Sequence, residues 1–203
     1  MVSGFEQQEG VCVSGAEHYR VSGAEHYQGA AEKQAARQEL AVDFIRHGIA
    51  EEPRPEVEDA FRALTDEGRR RCRKIARQLK NMGWRWDLLL TSPLVRARQT
   101  AEIFLDENLA EAVEVFEPLA PGGSFADLVR WQAEREPLAS LALVGHQPDL
   151  SLWVQAAVGL NPANAHAITL KKAGLAQVRF AEGRIDYRQG SLTLLLSPKV
   201  VLR

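Results

Sequence analysis

The sequence predicts an α/β domain, a three-layer α/β/α sandwich with a mostly parallel central sheet and an antiparallel C-terminal edge. Three observations predict it. Four short apolar runs, near Leu40, Leu88, Val113 and Leu141, alternate with segments whose apolar residues recur at helical spacing. Strands that alternate with helices build parallel sheets covered on both faces. The end of the chain changes pattern: Leu175 to Phe180, Arg184 to Tyr187 and Ser191 to Leu196 read as short strands joined by turns, as in an antiparallel edge.

The first run, Leu40-Ala41-Val42-Asp43-Phe44-Ile45, stops at Arg46-His47-Gly48. A run this apolar belongs in the middle of a sheet, and the end of a central strand is a rigid mount for chemistry. Arg46 brings a planar cationic fork suited to phosphate. His47 brings an imidazole that can be neutral near pH 7, and a neutral imidazole is a nucleophile. Gly48 lets the backbone turn sharply or come close to a ligand. Asp43 is out of place in such a strand, and the sequence alone gives no account of it.

A polar, proline-bearing loop follows from Glu51 to Glu58, and Phe61-Arg62-Ala63-Leu64 leads to Thr65. Thr65 suits a helix N-cap, and Asp66 and Glu67 suit the positive first turn behind it. That helix is expected to run to about Met82, with Cys72, Ile75, Leu79 and Met82 on its buried face, and to stop at Gly83. Its other face carries Arg69, Arg70, Arg73, Lys74 and Arg77, a solvated face or, as the alternative, a docking patch for an acidic partner.

The second strand, Asp87 to Thr91, hands over to Ser92-Pro93, expected as a cap and a first helical residue. Leu94, Ala97, Ala101 and Phe104 form the core stripe of the helix behind them. Arg96 then falls in the first turn, beside free helix N–H groups, where an arginine is well placed to bind an anion. Arg98 is a second neighbour of that anion position, with surface salt-bridging as its more ordinary role. A third strand, Val113 to Phe116, leads through the loop Glu117 to Gly123 to Ser124, a cap for a helix through Leu128 and Trp131. The fourth strand, Leu141 to Val144, ends in Gly145-His146-Gln147-Pro148, and Pro148 opens a helix with Leu150, Trp153, Val154 and Ala157 inward. Ligands of parallel sheets sit at the carboxyl ends of strands. Three separate elements therefore send Arg46, His47, Arg96 and His146 to one edge.

With 203 residues the chain is long enough for one domain and an appendage. Residues 39–203 are expected to form the domain and residues 1–38 a tail. The tail carries a tandem octapeptide, Val13 to Arg20 and Val21 to Gln28, too short and too polar for a solenoid, so disorder is expected. The alternative is that translation starts nearer the first strand; a full-length intact mass of the native protein would reject it. Its His18 and His26 are a weak metal signal. Lysine and arginine number 25 against 27 acidic residues, a net charge of -2, so nothing draws the whole chain to nucleic acid or an anionic membrane. No run is long and apolar enough to cross a bilayer, and no signal-peptide core opens the chain, so a reducing, cytoplasmic setting is expected. Cys12 and Cys72 are then free thiols. With no carboxylate cluster for Mg²⁺ and no glycine-rich phosphate loop, no metal or cofactor is expected.

Taken together, Arg46-His47-Gly48 after the first strand, Ser-Pro-x-x-Arg-Ala-x-Gln-Thr-Ala at 92–101 and a strand ending in Gly145-His146-x-Pro148 resemble the histidine phosphatase superfamily, the phosphoglycerate-mutase-like fold. The resemblance covers about residues 39 to 203. Its finer match is to the small SixA-type phosphohistidine phosphatases, through the short span between the second strand and Gly145-His146, the run Gly145 to Ser151, and the ending Leu194-Leu-Leu-Ser-Pro198. The resemblance implies that His47 takes the phosphoryl group, that Arg46 and Arg96 clamp its oxygens, and that His146 donates to them as charge builds. It implies a metal-independent hydrolase acting on phosphohistidine in a phosphorelay or phosphotransfer protein. Many members place a proton-donating glutamate just beyond the third strand. Here Pro121 stands at the nearest position, and Glu117 lies earlier, as a surface charge. That absence favours a phosphohistidine, whose P–N bond is labile once the ring is protonated, over a sugar phosphate. Two other readings stay open: a small-molecule phosphomonoesterase of the same fold, and a non-catalytic phosphate-binding module that needs only the arginines. Lys171 and Lys172 are expected to be solvated or to touch a substrate.

Overall fold

Burial on both faces explains why the apolar runs become strands of a single sheet. The computed structural model describes residues 38–161 and 167–202; the octapeptide repeat, Cys12, His18 and His26 lie outside them. The strands are β1 (Leu40–Arg46), β2 (Leu88–Thr91), β3 (Val113–Val115), β4 (Ser140–Gly145), β5 (Leu175–Phe180) and β6 (Gly190–Leu196), in the spatial order β3-β2-β4-β1-β5-β6. The pairs β1–β4, β2–β4 and β2–β3 are parallel. β5 runs antiparallel to β1, and β6 antiparallel to β5. The expected mixed sheet, with its antiparallel edge, is the fold observed.

The helices are α1 (Asp66–Asn81), α2 (Val95–Asp106), α3 (Phe125–Ala133), α4 (Asp149–Val158) and the short α5 (Pro198–Val201). Alternation along β1 divides the core between two layers. Leu40, Val42 and Phe44 pack with Leu128 of α3 and Trp153 and Val154 of α4. Ile45 packs on the other face with Cys72, Ile75 and Leu79 of α1 and Ala97, Ala101 and Phe104 of α2. Each fully buried Leu, Val, Ile or Phe contributes roughly 1.5–3 kcal/mol. Cys72 is a free, buried thiol, and burial pushes its pKa up to about 11.

The local signals hold at most helix ends. Thr65 Oγ1 accepts the Gly68 N–H at 3.0 Å, and Ser124 Oγ accepts the Ala126 N–H at 3.2 Å. Gly83, at φ 85°, takes the left-handed conformation that closes α1. The solvated face of α1 pairs Arg70 with Glu67 and Arg77 with Glu107.

Four expectations are corrected. Ser92 does not cap α2, which begins at Val95 with Leu94 as its cap. The Ser92 N–H bonds the Val144 carbonyl at 2.9 Å, so sheet pairing runs one residue past β2. Met82 is exposed because it follows the last residue of α1. Phe116 lies beyond the end of β3. Arg184 to Tyr187 is not a strand: the Ile185 N–H goes to Gln132 Oε1 at 3.2 Å, and Gln132 Nε2 goes to the Gly183 carbonyl at 3.3 Å. A side chain of α3 thus supplies the partners that a neighbouring strand would have supplied.

Asp43 acquires a physical account. It is buried, and its carboxylate accepts the indole N–H groups of Trp84 (2.9 Å) and Trp86 (2.6 Å) and the Gln177 amide (3.1 Å). Burial raises its pKa from 3.8 to about 6 against the pull of those donors. Between these two values the native protein holds a proton that the unfolded chain has released. Its contribution to stability is therefore greatest below that window and is lost as pH rises through it. Asp43→Asn mimics the protonated acid and removes this dependence. The stability of the wild type relative to Asp43→Asn should fall by roughly 2 kcal/mol from about pH 4 to about pH 7, as read by urea unfolding. A difference that does not change with pH would show that this carboxylate titrates normally.

Candidate active site

The backbone ladder between parallel strands brings the predicted residues together. Arg46 is in register with Gly145, and Thr91 with Val144. One step beyond, the His47 N–H bonds the Gly145 carbonyl at 3.1 Å, beside the Ser92 bond to Val144. His47, Ser92 and His146 therefore stand side by side at the carboxyl edge of the sheet. The two imidazole centroids are 5.1 Å apart and the rings are tilted by 51°.

The hydrogen bonds assign the protons. His47 Nδ1 lies 2.7 Å from the Gly48 carbonyl, which can only accept. Nδ1 thus carries the proton, and the lone pair of the neutral ring is on Nε2. His146 Nε2 lies 2.8 Å from Ser92 Oγ. Ser92 Oγ accepts the Leu94 N–H at 3.3 Å and has a proton of its own that can go to His146 Nε2; the His146 tautomer matching that bond carries its proton on Nδ1. That Nδ1 is buried and has no partner among the described residues.

Both guanidiniums are anchored through Nη1. Arg46 Nη1 donates to the Leu170 carbonyl at 3.0 Å, and Arg96 Nη1 to the Asp59 carbonyl at 2.7 Å. In each, Nε is buried and has no partner among the described residues. The loop behind Arg46 is tied down as well: the Ala173 N–H reaches the carbonyls of Arg46 (3.0 Å) and His47 (3.1 Å). Thr100 couples the end of β1 to α2, since Thr100 Oγ1 accepts the Gly48 N–H at 3.1 Å and donates to the Arg96 carbonyl at 2.7 Å.

Gly48 takes no left-handed turn, and packing alone calls for a glycine there. A Cβ there would lie 2.5 Å from Cys72 Sγ and 3.1 Å from a Leu64 methyl. The close approach of α1 excludes any side chain.

Electrostatics keep both rings neutral. Burial comes first, then the charges of His146, Arg96 and Arg46, and together they take the His47 pKa from 6.5 down to about 3. Burial, followed by the charges of Arg96, Arg46 and Arg62 and opposed by Asp59, takes His146 to about 4. A bound dianion offsets these positive charges and favours the protonated ring. Lone-pair nitrogen, cationic forks and unpartnered N–H groups thus converge from β1, α2 and β4. No group of three or more His, Cys, Asp or Glu suited to a metal ion occurs among the described residues.

Comparison with known proteins gives this geometry its relatives. The family model of the histidine phosphatase superfamily (branch 1) matches residues 42–120. An uncharacterized protein of Picosynechococcus sp. (strain PCC 7002) is 43% identical over 163 residues, covering 78% of this chain and 97% of its own. The chain belongs to the histidine phosphatase superfamily. A solved structure of the protein histidine phosphatase SixA complexed with tungstate superimposes with a TM-score of 0.66 at 27% identity, over 79% of this chain and 99% of that one. The alpha-ribazole phosphatase from Shigella flexneri matches with a TM-score of 0.63 over 78% of this chain and 96% of its own. At 16% identity that match shows the fold alone. This histidine phosphatase superfamily member has no helix among its described residues long and apolar enough to cross a membrane.

Sequence reasoning missed three contributors. Ser92, expected only as a cap, and Thr100 lie inside the 92–101 motif but had no expected role at the site; their partners are 54 and 52 residues away. Asp59, just past the polar loop, gave no signal beyond its spacing of three from Arg62. Glu117 lies in a short 3-10 turn (Glu117–Leu119) and is exposed, as expected of a surface charge. Lys171 and Lys172 are exposed.

Proposed function

We propose that the domain of residues 39–203 is a metal-independent phosphatase that removes the phosphoryl group from phosphohistidine in a signalling or phosphotransfer protein. The observation that carries the reading is the His47 ring: its Nδ1 is fixed on the Gly48 carbonyl, and its Nε2 lone pair is free beside His146 and two anchored guanidiniums. In the first step Nε2 of His47 bonds to phosphorus as the bond from phosphorus to the substrate nitrogen breaks. The substrate ring reacts protonated on its other nitrogen, so the departing imidazole leaves neutral with that proton and no strong acid is needed. Water then attacks the phosphorylated His47, releases inorganic phosphate and restores the neutral ring. Arg46 and Arg96 neutralise the phosphoryl oxygens in both steps, and His146 donates from Nδ1. Such charge stabilisation with positioning is most of what phosphoryl transfer requires.

Two further observations favour a phosphohistidine. The glutamate that many relatives use to protonate an alcohol leaving group has Pro121 at its nearest position. The SixA structure, solved with the oxyanion tungstate, is a protein histidine phosphatase. The test is turnover of a phosphorylated histidine carrier domain against sugar phosphates and small phosphomonoesters, with His47→Ala as control. Faster turnover of the carrier is expected. Preference for the small esters would select the small-molecule phosphatase, and phosphate binding without turnover would select a non-catalytic module.

A further inference from the structure

The loop between β1 and α1 carries an acidic residue that grips one of the site's cations. Asp59 opens the 3-10 turn Asp59–Phe61. Its carbonyl accepts Arg96 Nη1 at 2.7 Å, and its Oδ2 accepts Nη2 at 2.8 Å. Arg62 holds Oδ1 through Nε (2.7 Å) and Nη2 (2.6 Å), and ties its own Nη1 to the Glu51 carbonyl at 2.6 Å. The Arg96 side chain is only 4% exposed, whereas that of Asp59 is 56% exposed. The pair thus differs from an ion pair between two solvated side chains.

A guanidinium offers two bidentate edges, one end-on through Nη1 and Nη2, the other side-on through Nε and Nη2. Asp59 takes the end-on edge of Arg96. The side-on edge retains the buried Nε, which has no partner among the described residues. Arg46 is similar, with Nη1 on the Leu170 carbonyl and an Nε that has no partner among the described residues. We propose that Asp59 is a positioning residue, which locks the end-on edge of Arg96 so that the side-on edge faces the phosphoryl group at His47. This rests on reading the site as one of phosphoryl transfer.

Asp59 is not the missing proton donor. Its slight burial acts to raise its pKa, but the bonds from Arg62 and Arg96 prevail and hold the carboxyl below its usual range. It is ionised at neutral pH and has no proton to give.

Two effects of its removal have opposite signs. Losing the carboxylate takes a negative charge away from an anion site, which strengthens the binding of inorganic phosphate. It also frees Arg96 to turn, which slows transfer. The test compares wild type, Asp59→Ala and Asp59→Asn by turnover, by binding of inorganic phosphate, and by NMR of the Arg96 guanidinium protons. For Asp59→Ala, kcat should fall by about tenfold or more while phosphate binds as tightly or more tightly. Asp59→Asn keeps an acceptor for Nη2 and should recover most of kcat. Wild-type Arg96 should show separate, slowly rotating Nη protons that merge in Asp59→Ala. Unchanged Arg96 signals in Asp59→Ala would overturn the proposal, as would equal losses of kcat and phosphate affinity. Because the NMR readout needs no turnover, an inert wild type whose Arg96 signals still merge in the variant would count against the phosphatase reading and not against Asp59.

Discussion

His47→Ala lowers phosphatase turnover by at least about a thousandfold, the scale of loss when a covalent nucleophile is removed. The expectation rests on the hydrogen bond from Nδ1 to the Gly48 carbonyl, which commits the lone pair to Nε2. No other described side chain shares that arrangement, so none can take over. In the wild type, an acid-labile phosphoryl group should be recovered on His47 after quenching during turnover, and none on the variant. Recovery of the label on any other residue would sink the assignment. Acid stability supplies a second readout. The unfolded chain takes up a proton at this position near pH 6.5, whereas the folded ring waits until about 3. The unfolded state therefore gains protons first, and the wild type loses stability as pH falls through that window. The alanine variant escapes this penalty and should unfold at lower pH than the wild type. A variant that is both inactive and more resistant to acid has lost its chemistry without losing its fold.

Arg96→Ala should lower kcat/KM by about a hundredfold to a thousandfold, the usual effect of removing one preorganised donor to developing charge. Arg96→Lys should recover little of that loss. Lysine restores the charge, but its ammonium is a point donor and cannot span two phosphoryl oxygens from one rigid plane. It also cannot satisfy the Asp59 carbonyl and carboxylate together while facing the substrate. Steady-state kinetics on a phosphorylated carrier domain would measure both variants. Recovery to within a few-fold by lysine would show that charge alone matters there, and that the unpartnered Nε has no part in transfer.

The strands at the centre of the sheet were legible because each is buried on both faces and so reads as an unbroken apolar run. Arg46, His47 and His146 were legible for the same reason, as polar residues where such runs stop. Arg96 could be placed from helical spacing alone. What escaped were contacts whose partners are far along the chain. Asp43 looked anomalous because its indole donors lie 41 and 43 residues away. Ser92 followed by proline is a sound capping pattern, but pairing with Val144 and a bond to His146 claim that residue first. The segment from Arg184 to Tyr187 alternates as a strand does, and only the position of Gln132 decides otherwise. Asp59 reaches Arg96 across 37 residues, a distance at which local pattern carries no information.

The pairing of β1 with β4 has a consequence for how this protein can fail and how it can change. Successive residues of a strand point to opposite layers. A slip of one position between these two strands would turn His47 away from His146 and, in the same movement, push Asp43 and Ile45 out of their layer. Misassembly of the sheet and loss of chemistry are thus a single event, and no misregistered yet active form is available. Divergence of substrate choice is left to the connecting loops, which can lengthen or recharge without disturbing that alignment.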